Sequence, residues 1–204
     1  MYKMLRIGAI AVAMVATTGC AVKGGWMGTD AERTYEQQLA AARLDEQLVH
    51  DRYWEIHRDG RIQVIADAED YELFRQTGEI PLVVTRIGGG PNGETLRFGL
   101  TRKEAKTMAK IVGYKGSAQR LYEGDVEGDA NDFYGEIHRD GRIYVFNDWA
   151  DLQAYKQTHE AAYAVTRIGA GPERETVVFV LNKSSASTVP AQTIGNFKTI
   201  YALN

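Results

Sequence analysis

Two short segments of this 204-residue chain carry residue types suited to acid–base or metal chemistry. Glu55 and His57 stand two apart, and Glu136 and His138 repeat that spacing. In an extended strand, positions i and i+2 project to one face, where a carboxylate and an imidazole can ligate a cation or share a proton. Arg61 and Arg142 follow across a turn, and a cation beside an imidazole disfavours charging the ring and repels a metal ion. Neither segment offers a third ligand, so no metal and no cofactor is expected. The pattern predicts a solvated polar sheet face that stabilises a hairpin, with metal or acid–base use as the alternative.

Arg86 and Arg167 lie in a second duplicated motif, Thr85-Arg86-Ile87-Gly88 and Thr166-Arg167-Ile168-Gly169. A guanidinium there can clamp an anion through its planar fork or pair with Glu94 or Glu175 on the returning strand; the ion pair is the expectation. Gly88, Gly90 and Gly93 spell G-x-G-x-x-G, but a dinucleotide loop must open a helix. A strand follows here, and the second copy replaces the last glycine by Arg174, so both segments read as hairpin loops with positive φ. His57-Arg58-Asp59 and His138-Arg139-Asp140 match a kinase catalytic-loop tripeptide without the rest of that signature. No serine sits in a Gly-x-Ser-x-Gly elbow, and the one cysteine is Cys20, which leaves no catalytic nucleophile.

The elements that must position these residues are themselves duplicated. Residues 51–100 align with 132–181 at a constant offset of 81, without a gap, and 27 of the 50 positions are identical. Composition alone gives about 3 identities, so the chain contains an internal repeat. The fold class expected is α+β, two tandem ββαββ repeats preceded by an N-terminal helix. In the first hairpin a two-residue Asp59-Gly60 loop would put Glu55 and His57 on the face of Ile62 and Val64. A three-residue loop, Arg58-Asp59-Gly60, puts Trp54, Ile56, Ile62 and Val64 together and is preferred on that pattern. Asp67 and Asp148 are expected N-caps of the following helix, which Gly78 or His159 ends. Its inward stripe is Tyr71 and Phe74, or Leu152 and Tyr155. Strands 82–87 and 95–100 pair, as do 163–168 and 176–181. Val178 and Val180 replace Arg97 and Gly99, so the last strand of the second copy is expected to be covered on both faces. Thr101-Arg102-Lys103-Glu104 is a capping box opening a further helix. Residues near Leu121-Tyr122 and 198–203 alternate like strands.

The N-terminus has a different character. Lys3 and Arg6 precede an uncharged run of 13 residues, 7–19. That is too short for a bilayer span of roughly 20 residues and has the form of a secretory signal. The run ends Thr17-Thr18-Gly19-Cys20, which resembles the lipobox of bacterial lipoproteins. That resemblance implies acylation of Cys20 and, with Ala21 next, the outer membrane; two acyl chains give stable anchoring. The alternative is a soluble periplasmic or secreted protein cut nearby. The repeated EIHRDGRI…TRIGxGP…ET pattern resembles a bacterial domain family of unknown function. The organisation expected is a signal over 1–19, a lipidated tether over 20–28, a helix over 29–50, repeats over 51–123 and 131–204, and a linker over 124–130.

Loss of residues 1–19 leaves 22 basic residues of 24 against 27 acidic, a net charge of −5. That lacks the basic footprint of a nucleic-acid binder. With Cys20 acylated or removed, each repeat must hold together without a disulfide. The function expected is a lipid-anchored envelope protein, a non-catalytic binding or scaffold protein, with Glu55, His57, Arg61, Arg86, Glu136, His138, Arg142 and Arg167 as candidate binding residues. Its expected partners are the membrane through Cys20, and an envelope protein, peptidoglycan or a small anion. Two alternatives stand beside it: a periplasmic hydrolase or metal-binding enzyme using the Glu-x-His pairs, and an inhibitor or immunity lipoprotein.

Overall fold

The computed structural model describes residues 50–203. The signal, Cys20, the tether and nearly all of the helix expected over 29–50 lie outside the described residues. The chain is α+β. Strand β1 (Arg52–Arg58) and β2 (Arg61–Ile65) form a hairpin, then α1 (Ala68–Thr77), β3 (Val83–Arg86) and β4 (Thr95–Gly99) complete the first repeat. Helices α2 (Arg102–Met108) and α3 (Ser117–Glu123) follow. The second repeat is β5 (Tyr134–Arg139), β6 (Arg142–Phe146), α4 (Trp149–Thr158), β7 (Tyr163–Arg167) and β8 (Thr176–Leu181), closed by α5 (Ala191–Ile200).

The repeats join in one eight-stranded mixed sheet of order β3-β4-β2-β1-β5-β6-β8-β7. The join is a parallel ladder from Arg52↔Tyr134 to Ile56↔His138. Strand order is mirrored about that ladder while strand direction is kept. The pseudo-two-fold axis therefore runs along the strands within the sheet, and equivalent side chains of the two repeats face opposite ways. The two apolar layers follow this rule. Tyr71 and Phe74 of α1 and Ile194 and Phe197 of α5 cover one face, over Trp54, Ile56, Ile143, Val145, Val177 and Phe179. Leu152 and Tyr155 of α4 and Ala118 and Leu121 of α3 cover the other, over Ile62, Val64, Leu96, Phe98, Ile137 and Phe146. Val178 and Val180 lie in that second layer and Val177 and Phe179 in the first, so β8 is covered on both faces.

Local signals account for most helix ends. The Asp67 carboxylate accepts the Glu69 and Asp70 amides at 3.0 Å, and Asp148 accepts that of Asp151 at 3.0 Å. Gly78 (φ 75°) and His159 (φ 57°) end α1 and α4 in the left-handed region. Thr101 and Glu104 form the reciprocal capping box. The segment between β3 and β4 is a hairpin loop with positive φ at Gly88 and Gly93.

Three local expectations are corrected. The first hairpins turn through two residues: Arg58 pairs with Arg61 and Arg139 with Arg142. Asp59 (φ 52°) and Gly60 (φ 67°), like Asp140 (φ 52°) and Gly141 (φ 70°), are left-handed at both central positions. That is the turn whose twist matches the flanking strands. The longer loop was preferred to keep polar groups off a buried face, an argument that holds only when the opposite face is wet. Here both faces are covered. Leu121-Tyr122 and most of residues 198–203 belong to helices or their ends, not to strands. Ile194, Phe197 and Tyr201 recur at intervals of three and four, the helical spacing that brings one face inward.

Candidate functional site

The two-residue turn sets the site. With Glu55 opposite Val64 and His57 opposite Ile62, the acidic and imidazole side chains share the covered face of β1 with Tyr53. In β5 the same alternation turns Tyr134, Glu136 and His138 to the opposite face. Glu55 is 4% exposed and Glu136 0%. A carboxylate so buried needs partners for its oxygens, and each has them.

Around Glu136, Oε1 accepts the Tyr134 hydroxyl at 2.5 Å, while Oε2 lies 2.6 Å from His138 Nε2 and accepts the Tyr201 hydroxyl at 2.6 Å. Tyr71 and Tyr201 are hydrogen-bonded through their hydroxyls. Since the Tyr201 proton goes to Glu136, Tyr71 is the donor in that pair. Burial, reinforced by the Glu136 charge, pushes the Tyr71, Tyr134 and Tyr201 phenols well above their ordinary range. Arg75 of α1 lies 4.4 Å from the centre of the Tyr201 ring and donates to the Ile200 carbonyl at 2.5 Å.

Around Glu55, the Tyr53 hydroxyl bonds to Oε2 and His57 Nε2 lies 2.7 Å from Oε1. Lys156 Nζ of α4 is 3.1 Å from Oε2 and donates to the Tyr53 hydroxyl at 3.1 Å. It also stands 4.0 Å from the centre of the Tyr122 ring. Burial alone would raise the Glu55 pKa, but the His57 hydrogen bond, the Lys156 charge and the Tyr53 hydrogen bond together lower it to about 2.

Arg75 and Lys156 occupy equivalent positions at the repeat offset of 81. Each triad is thus closed by the helix of the other repeat, directly by Lys156 and through the Tyr201 ring by Arg75. Tyr53, Tyr134, Tyr201, Arg75 and Lys156 were not among the residues expected from sequence, and Tyr71 was expected only as part of the inward stripe of its helix. A signal was present: tyrosine precedes the glutamate by two residues in both copies, and a cation recurs at one helix position.

The other expected residues are only partly brought together. His57 and His138 belong to opposite faces of the sheet, yet both, with Arg142, border one cleft. Neither histidine faces the expected arginine across the turn. Arg61 is exposed beside Arg58, and Arg142 donates weakly to the Tyr144 hydroxyl at 3.5 Å. Arg86 pairs with Glu123 of α3 at 2.6 Å and not with Glu94, whose carboxylate accepts the Asn92 amide at 2.8 Å. Arg167 borders a separate cavity.

A cleft of about 450 Å³ opens beside His138, walled by Tyr71, Phe74, Arg75, Tyr201, Pro172 and Glu173. No Ser, Thr, Cys or Lys is among its lining residues. Chemically, the cleft offers an imidazole held by a buried carboxylate, with Nε2 turned inward. Among the described residues, no three His, Cys, Asp or Glu side chains are grouped to hold a metal ion. No helix among them is long and apolar enough to cross a membrane. No protein-family model, no curated protein and no solved structure matches this chain.

Proposed function

We propose that this chain is a lipid-anchored cell-envelope protein that binds a partner or small ligand without transforming it, with the cleft beside His138 as its seat. The observation that carries this reading is the commitment of the polar groups beneath the cleft. Both Glu136 oxygens, the Tyr134 and Tyr201 protons and His138 Nε2 are engaged with one another, and the lining holds no serine, threonine, cysteine or lysine. The network fixes the shape of a site and clamps the repeats together. Anchoring rests on the Thr18-Gly19-Cys20 segment. The test is affinity capture of the intact protein from its envelope with mass spectrometry. One co-purifying partner or wall fragment, lost on His138→Ala, together with a lipid-shifted mass at Cys20, is the expected result. An unmodified Cys20 in the mature chain would remove the anchor from the proposal.

A second reading is acid–base catalysis by His138. It is favoured by one observation: an imidazole oriented by a fully buried carboxylate borders a concave site, the arrangement a general base requires. Ester or amide turnover abolished by His138→Gln but kept in Arg86→Gln, a residue outside the cleft, would establish it over the binding reading.

A further inference from the structure

The arginine shared by both repeats has two different fates. In the first, Arg86 is paired with Glu123 at the end of α3 and lies over the Phe98 ring at 5.7 Å. In the second, α5 covers the matching face, and Ala191–Ile200 contains no acidic residue but carries Lys198 in its last turn. Arg167 and Lys198 border one cavity of about 360 Å³, a volume in the ~300–1,000 Å³ range of small-molecule sites. They are the only charged residues lining it, and the rest of the wall is glycine backbone, Ala170, Phe179, Ile194, Phe197 and Leu203. Among the described residues neither cationic side chain has a hydrogen bond or ion pair.

An apolar chamber with two cations at its border is complementary to one kind of molecule. Arg167 is exposed, Lys198 is half-buried, and Phe179 and Phe197 are each 2% exposed, so the match is one of charge at the mouth and apolar side chains behind it. A purely apolar ligand would gain nothing from the cations, and a small hydrated anion nothing from the apolar wall. We propose that Arg167 and Lys198 hold the carboxylate or phosphate head of a single-chain amphiphile whose tail enters this cavity. Guanidinium supplies a planar fork to two oxygens of the head, and the ammonium supplies a mobile point charge. The site is separate from the cleft beside His138 and independent of the fate of Cys20.

Isothermal titration of the full mature chain tests this with four probes kept below any micelle-forming concentration: decanoate, decyl phosphate, decyltrimethylammonium and acetate. Decanoate and decyl phosphate are expected to saturate a single site. The tighter of the two identifies the head, carboxylate or phosphate. The cationic amphiphile and acetate should each bind about tenfold or more weakly, and Arg167→Gln or Lys198→Gln should each weaken decanoate by about tenfold, the effect of losing one charge-assisted hydrogen bond. Arg86→Gln should change nothing. Absence of saturable binding, equal binding of the cationic amphiphile, acetate binding as tight as decanoate, or undiminished affinity in the double variant would each overturn the proposal. The probe series on the unaltered chain stands even if a variant folds poorly.

Discussion

Replacing Lys156 by Met removes the cation from Glu55 and from the Tyr122 ring and keeps an unbranched apolar side chain. Glu55 is nearly inaccessible to water, and its carboxyl sits at about 2 against an ordinary 4.5. At ~1.4 kcal/mol per pH unit, that depression is worth about 3 kcal/mol of folded-state stability at neutral pH. The sign is set by a folded pKa below the unfolded one. The contribution is complete above about pH 4.5 and is lost as pH falls toward 2. Breaking a buried pair from one side typically costs ~3–5 kcal/mol. His57 and Tyr53 remain as donors, which holds the expected loss for Lys156→Met to about 2–3 kcal/mol at neutral pH. Urea unfolding followed by tryptophan fluorescence measures it, since Trp54 is buried and Trp149 meets the Tyr53 ring at 5.9 Å. Repeated at about pH 3, the deficit should shrink, because Glu55 is then protonated in the unfolded chain and the parent is within about one pH unit of its folded pKa of about 2, so much of the stability that the depressed pKa supplies is already lost. Glu55→Gln combined with Lys156→Met should be less destabilised than the sum of the single changes by about 2 kcal/mol. A deficit below about 0.5 kcal/mol, or one that does not change with pH, would refute the claim that this contact is desolvated and joins the repeats.

Three further outcomes are expected. Tyr201→Phe takes a donor from Glu136 and the acceptor from Tyr71, and should cost about 2 kcal/mol in the same urea assay; a loss near zero would mean that water replaces the hydroxyl. Gly60→Ala meets no atom within 4 Å but must hold φ 67°, so its cost is backbone strain alone, about 1 kcal/mol by thermal unfolding; a neutral result would show that the turn relaxes. Because one sheet spans both repeats, single-tryptophan reporters at Trp54 and Trp149 should unfold with coincident midpoints, and separated midpoints would show that the β1–β5 ladder does not couple the halves.

Much of the fold could be read from local chemistry. The duplicated hairpin–helix–hairpin order, the Asp67 and Asp148 caps, the left-handed helix ends and the Thr101 capping box all depend on residues within a few positions of each other. So does the identity of the glutamate and histidine pairs as the groups to watch. Their surroundings could not be read in this way. Lys156 and Tyr53 meet across 103 residues, and Tyr71 and Tyr201 across 130. No short-range pattern encodes such distances. Period-two alternation tells which strand residues share a face, yet it cannot tell whether that face is wet.

The chain's own order of residues therefore determined that there are two copies of one α+β unit and which side chains alternate along each strand. Tertiary structure alone decided that β1 and β5 lie side by side in parallel. That pairing turned the copies to opposite faces and carried each helix over the other copy's glutamate. A carboxylate assigned to solvent thereby became a buried, fully bonded group. The physical reason is that desolvation and hydrogen bonding are properties of the space around a residue, and that space here is filled by residues far away in the chain.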